Sequence, residues 1–136
     1  MLQTFPLLAV SLVIYAIATL LQGSASVPWH DFLSFRLRLI SGDVWSITAG
    51  DLFLTLSMVM LFIEILRATR SGNSSMLNNA LSVLVFIVGL LLFLTAKGFG
   101  NSVFFLFLSM TFLDFMAGFI ISTVTARRDF AFNRPD

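Results

Sequence analysis

The sequence predicts an all-α integral membrane protein: an antiparallel, up-down bundle of four transmembrane helices, with a short segment on the outer face between helices 1 and 2. Of its 136 residues, 58% are hydrophobic and 11% are charged, and the mean hydropathy is +0.98. A soluble domain carries about 25% charged residues. Four apolar segments are each close to the roughly 20 residues that cross a bilayer core. We expect one membrane domain over residues 1–136.

The predicted helices cover residues 5–22, 51–70, 79–97 and 102–126, and residues 23–50 form the outer connection. The first apolar segment is followed by small residues, so it also resembles a signal peptide with its cleavage site. Residues 1–6 contain no Lys or Arg, however, and the apolar run is long for a signal peptide. These two features favour a retained helix.

The outer connection has its own pattern in residues 29–48, which are too polar to span a membrane. Phe35, Leu37 and Leu39 alternate with two arginines, and a Ser-Gly-Asp turn signal follows. This period of two favours a short β-hairpin over an amphipathic helix lying at the membrane surface. Thr48 and Asp51 then form the expected cap at the start of the second helix.

The positively charged residues near the helix ends predict the orientation. Arginines are concentrated after the second helix and in the C-terminal tail, at Arg67, Arg70, Arg127, Arg128 and Arg134. Cytoplasmic connections of membrane proteins carry an excess of Lys and Arg. We therefore expect both termini and the second connection on the cytoplasmic side.

Asp114 lies within the otherwise apolar segment FFLFLSMTFLDFMAGFIISTV. It precedes Arg127 by 13 residues, which is about 20 Å of helix and places it near the expected membrane midplane. An aspartate there costs about 2.5–3.5 kcal/mol on insertion scales, so it must be neutral, partnered or hydrated. We expect Asp114 to point into the bundle and to hydrogen-bond Tyr15 or a facing Thr or Ser. Its role is either structural, as a polar contact between helices, or functional, as a proton or cation site.

Helical periodicity places Asp114 on a stripe of small and polar residues. The stripe comprises Thr111, Asp114, Gly118 and Ser122, and Tyr15 lies on a similar stripe of the first helix. Such stripes allow membrane helices to approach closely. The opposite side of the fourth helix presents Phe105, Phe112 and Phe119 to lipid or to a partner protein.

Glu64 is the second acid within an apolar segment. It is three residues before Arg67, a spacing at which helical side chains form ion pairs. We expect a structural Glu64–Arg67 ion pair near the interface. The alternative is that Glu64 belongs with Asp114, Tyr15 and Thr111 to a buried polar or ion site.

The composition argues against several functional classes. The net charge is only +1, so no large basic face for nucleic acid is expected. There is no cysteine and one histidine, His30, which alone cannot form a metal site. No nucleophile motif is present, so we expect no enzyme and no cofactor; an enzyme acting on lipid is a distant third hypothesis.

Two motifs carry a resemblance. Glu64-x-x-Arg67-Ala-Thr-Arg70, and Asp114 followed by Ala117-Gly118, resemble a group of small four-helix bacterial inner-membrane proteins with no assigned activity. The resemblance covers residues 50–130 and implies the bacterial inner membrane. Small multidrug transporters are of similar length, but they carry their essential acid in the first helix, where this chain has none.

Two functional hypotheses follow. In the favoured one, the chain is a non-enzymatic accessory or assembly protein whose partners are the lipid bilayer and either a larger membrane complex or further copies of itself. In the alternative, it is a small oligomeric proton-coupled transporter or ion channel that uses Asp114. The two differ in the expected effect of Asp114→Asn, because an amide keeps a hydrogen bond but exchanges no proton.

Overall fold

The computed structural model describes residues 5–69 and 73–132, and these form a mostly helical structure. The helices are α1 (Leu7–Gln22), α2 (Ala49–Ala68), α3 (Asn73–Thr95) and α4 (Ser102–Phe132), and a short 3₁₀ helix covers Trp29–Asp31. Two strands, β1 (Leu33–Arg38) and β2 (Val44–Thr48), form an antiparallel pair. The predicted helical class and the predicted hairpin are confirmed. Arg70 and Arg134, which entered the orientation argument, lie outside the described residues, as does the side chain of Arg128.

Three helical segments are long and apolar enough to cross a membrane: Ala49–Ala68, Leu77–Thr95 and Ser102–Val124. The first apolar segment is shorter, since α1 has 16 residues and a length of about 24 Å. Helix α3 begins six residues before its predicted start, and α4 continues six residues past its predicted end. Hydropathy marks only the apolar part of a helix, and no Pro or Gly interrupts these two polar extensions.

The hairpin leads directly into the capped start of α2. Leu37 pairs with Trp45 across the two strands. At the end of β2, the Thr48 hydroxyl accepts a hydrogen bond from Asp51 N at 3.2 Å, and the Asp51 carboxylate accepts one from Thr48 N at 2.9 Å. This capping box satisfies two backbone donors and was predicted from the sequence.

The helices pack in four main pairs: α3 with α4, α2 with α4, α1 with α2, and α1 with α3. Helices α3 and α4 are antiparallel, because Asn79 lies against Gly118 and Gly89 lies against Leu108. In the α1–α2 pair, Leu8 lies next to Glu64 and Ser11 next to Met60, which is also an antiparallel arrangement. The start of α1, the end of α2 and the start of α3 therefore lie at one end of the molecule.

The opposite end is built around Tyr15, whose side chain is fully buried. Its ring lies between 4.7 and 5.3 Å, centroid to centroid, from the rings of Trp29, Phe53, Phe99 and Phe104. Edge-on and tilted aromatic contacts at such distances add stability beyond the area they bury. These rings join α1, α2, α4, the 3₁₀ helix and the turn after α3 into one core.

Gly50 allows the start of α2 to enter this core. A Cβ atom at this position would lie 2.8 Å from Val103 Cγ2 and 2.9 Å from the backbone oxygen of His30. Both separations are shorter than normal van der Waals contact, and the backbone oxygen cannot rotate away. A glycine is therefore required where α2 meets α4 and the 3₁₀ helix.

We expect Gly50→Ala to lower the free energy of unfolding by about 1–3 kcal/mol, because the added methyl group forces these elements apart. The control is Gly100→Ala, whose Cβ would lie 3.8 Å from the nearest atom, Phe93 O. Thermal and denaturant unfolding in detergent micelles would measure both variants. Equal stability of the two variants would contradict the close contact at Gly50.

Candidate functional site

Asp114 lies inside the helical assembly, with only 6% of its surface exposed. Its carboxyl group lies next to the hydroxyl of Ser82 on α3. The antiparallel packing of α3 on α4 brings these two side chains together. Asp114 is therefore placed as a polar contact between two helices, with a serine as its partner.

Tyr15, the other predicted partner, does not reach Asp114. Its hydroxyl donates to the backbone oxygen of Gly98 at 3.1 Å and accepts from Asn101 Nδ2 at 2.6 Å. Tyr15 lies about 10 Å along α1 from Leu8, toward the end at which α3 turns into α4. Of the two expected kinds of partner, Tyr15 or a facing Thr or Ser, Tyr15 is thus excluded because its hydroxyl is used at the other end of the molecule.

Thr111 lies one turn before Asp114 and is buried, but its hydroxyl donates to Leu108 O within α4 at 2.7 Å. The Ser122 hydroxyl likewise donates a hydrogen bond to Gly118 O within α4, at 2.8 Å. The stripe that contains Asp114 therefore faces inward as predicted by its period, while both of its hydroxyls form hydrogen bonds within α4.

Glu64 is almost completely buried, with 2% of its surface exposed. Its carboxylate accepts hydrogen bonds from Leu8 N at 3.3 Å and from Asn78 Nδ2 at 3.5 Å. Pro6, which precedes α1, provides no side-chain cap. Glu64 thus supplies, from another helix, the acceptor and the negative charge that favour a helix N-terminus.

The predicted ion pair between Glu64 and Arg67 is not formed. Arg67 is exposed, and among the described residues no ion pair joins it to Glu64. The physical reason is the direction of Glu64, which faces α1 and α3 rather than the surface. The i, i+3 spacing permits an ion pair but does not require one.

Glu64 and Asp114 are close enough to interact electrostatically. They lie on α2 and α4, and in the described part of the chain no Lys or Arg side chain forms an ion pair with either. Two acids from separate helices therefore share one buried region whose other polar groups are amides, a hydroxyl and the first N–H groups of α1. This Glu64–Asp114 region is the candidate functional site.

A small cavity of about 10 Å³ lies beside Asp114. This volume is about that of one water molecule. Asn79 Oδ1 is buried and lacks a hydrogen-bond partner within the described residues. The cavity is lined by Ile65, Ala68, Asn78, Asn79, Ser82, Asp114, Ala117 and Gly118.

The two asparagines of this region were missed as site residues. From the sequence, α3 was expected to start at residue 79, with Asn78 or Asn79 as its cap and not as a site residue. Because α3 begins at Asn73, Asn78 and Asn79 lie inside the helix, one turn before Ser82. Two adjacent amides next to an apolar segment were the signal that could have identified them.

The described residues contain no group of three or more His, Cys, Asp or Glu side chains that could hold a metal ion. Comparisons of the chain with protein families, with curated proteins and with solved structures found no match.

Glu64→Leu is expected to lower the free energy of unfolding by about 1–3 kcal/mol, because it leaves Leu8 N and the Asn78 amide without their acceptor. Glu64→Gln keeps an oxygen acceptor and is expected to be less destabilised. Hydrogen exchange of the first turn of α1, followed by mass spectrometry, would test the contact directly. Unchanged exchange at Leu8 in both variants would contradict the cap.

Tyr15→Phe is expected to lower the free energy of unfolding by about 1 kcal/mol, since it removes the hydroxyl that joins Gly98 and Asn101. The matched control is Ser57→Ala. Ser57 is also fully buried, but its hydroxyl has no partner among the described residues. Its removal should therefore be close to neutral in the same denaturant titration, and a larger loss from Ser57→Ala than from Tyr15→Phe would contradict these assignments.

Proposed function

We propose that the chain is a small, non-enzymatic integral membrane protein that acts as an accessory or assembly subunit through helix–helix contacts. In this proposal it spans the bacterial inner membrane several times, with both termini in the cytoplasm. The observation that carries it is the contrast between the interior and the surface. The polar side chains of the interior join the chain's own helices, while large apolar side chains point outward.

The outward surface supports insertion into a bilayer. In the three long apolar segments, no more than 28% of the residues are buried inside the chain. Exposed large apolar side chains occur along all three of them. Soluble monomers rarely expose apolar patches larger than a few hundred Å². A lipid environment would cover this surface without any further protein.

The interior supports an accessory role over catalysis or solute transport. The cavity of about 10 Å³ has room for one water-sized particle. Pockets that bind small molecules have volumes of about 300–1,000 Å³. The polar groups around the cavity connect α2, α3 and α4, which is what a compact helical subunit requires.

The surface that we assign to protein contact is the phenylalanine face of α4, defined by Phe105, Phe112 and Phe119. Their side chains are 53%, 43% and 56% exposed. The partner of this face would be an apolar transmembrane helix. Large, stiff aromatic side chains give wide contact area for little loss of side-chain freedom, which suits helix–helix association.

The orientation can be tested with single cysteines, because the natural chain contains none. Ser41→Cys in the hairpin turn is expected to react with a membrane-impermeant maleimide in intact cells or spheroplasts. Arg70→Cys and Asp136→Cys are expected to react only after the membrane is permeabilised. The reverse pattern would contradict the proposed orientation, and labelling of all three only in a soluble fraction would contradict insertion.

The accessory role can be tested by photo-crosslinking in native membranes. A photoreactive amino acid at position 105, 112 or 119 is expected to give the same discrete protein adduct. Positions Met58 on α2 and Leu94 on α3 are exposed and serve as controls on other helices. Lipid adducts alone at all five positions would contradict a protein contact through α4.

The alternative function, a proton-coupled transporter or channel acting as an oligomer, is favoured by one observation: the buried acids Glu64 and Asp114 lie close together. Exchange of a proton at Asp114 would alter its carboxyl stretching band. An infrared difference titration between pH 5 and 9, with Asp114→Asn as the reference, would detect it. A constant band supports the accessory role, whereas a titrating band together with Asp114-dependent proton flux in liposomes supports transport.

A further inference from the structure

We propose that the cavity beside Asp114 binds one dehydrated monovalent cation of the size of Na⁺. Its ligands would be the Asp114 carboxylate, Asn79 Oδ1 and the Ser82 hydroxyl oxygen. The cation would join α3 to α4 and would balance charge next to α2. This goes beyond the accessory role, since the ion would stabilise the packing of the chain whether or not the chain contacts a partner.

The charge of the buried Asp114 carboxylate favours a cation beside it. Glu64 receives hydrogen bonds from Leu8 N and Asn78, so its carboxyl oxygens have donors where they lie. Asp114 is also buried, and among the described residues the Ser82 hydroxyl lies next to its carboxyl group. Among the described residues, Arg67 and Arg127 are exposed, and no Lys or Arg forms an ion pair with Asp114. A buried carboxylate without a counter-charge is strongly unfavourable, and a cation in the adjacent cavity removes that penalty.

The oxygen acceptors around the cavity are also arranged in a way that suits a cation. Asn79 Oδ1 is buried, has no donor among residues 5–69 and 73–132, and lies against the backbone of Gly118, a wall of the same cavity. A proton on Asp114 would serve one acceptor. A cation would contact the carboxylate, the amide oxygen and the hydroxyl oxygen together. Oxygen atoms of carboxylates and amides are the ligands that hard cations prefer.

The volume of the cavity also fits a single dehydrated Na⁺ ion. A volume of about 10 Å³ admits one particle of about the size of a water molecule. A dehydrated Na⁺ ion fits, whereas Mg²⁺ usually retains several of its waters and would not. Gly118 is necessary for this space, because a Cβ atom there would lie 2.5 Å from Asn79 Oδ1. The absence of a side chain at position 118 keeps the amide oxygen in the cavity wall.

The test measures ion binding and not flux, so it is independent of the proposed function. The purified full-length chain in detergent is unfolded thermally in NaCl, KCl or choline chloride at equal ionic strength. We expect the midpoint to rise with Na⁺ concentration, to saturate, and to rise less with K⁺. Asp114→Asn and Asn79→Ala should each weaken Na⁺ binding at least tenfold. Asp43→Asn makes the same chemical change at an exposed turn and should retain the native response.

A second measurement keeps the proposal testable if the site variants do not fold. Line broadening of the ²³Na resonance by the native chain, relieved by competing Na⁺ but not by choline, would support a Na⁺ site. The proposal is overturned if the native chain responds identically to NaCl and choline chloride, or if Asp114→Asn folds and keeps the full Na⁺ response. Cross-linking through α4 would be unaffected by either result.

Discussion

The burial of two carboxyl groups determines how one end of this molecule is assembled. Glu64 and Asp114 come from α2 and α4 and lie close together in the interior, where no arginine or lysine among the described residues pairs with them. Each acid therefore needs dipolar partners from other helices. Glu64 obtains them from α1 and α3, and Asp114 obtains one from α3. Satisfying these two groups requires all four helices to meet at this end.

The opposite end is held by a different kind of interaction. There the aromatic rings around Tyr15 fill the space between helices, and directional hydrogen bonds fix the turn that follows α3. Asn101 shows the connection, since its amide donates to Tyr15 and its carbonyl oxygen accepts from Phe104 N at 3.0 Å at the start of α4. The aromatic end depends on the close packing of rings. The acidic end depends on polar partners for its two buried acids.

The sequence was informative wherever a local pattern decides the structure. Alternating residues predicted the hairpin, and the Thr48–Asp51 spacing predicted the cap of α2, because both depend on neighbours in the chain. Glu64 shows the limit of such reasoning. Its local partner, Arg67, is at a suitable spacing, but its actual partners are on α1 and α3, 56 and 14 residues away. Tyr15 shows the same limit: it was one of the expected partners of Asp114, but a position along a helix does not specify which neighbour the side chain faces.

Helix α1 connects the two ends, and its contacts explain how a short helix is retained. Its first turn is capped by Glu64, while its last turns contribute Thr19 and Gln22, which accept hydrogen bonds from Trp29 Nε1 at 3.1 Å and Trp29 N at 2.9 Å. Between these points Tyr15 anchors it in the aromatic core. An isolated helix of this length is marginal, so its order depends on these contacts. A change of charge at Glu64 would therefore act first on α1, through the loss of the negative charge that its N-terminus favours.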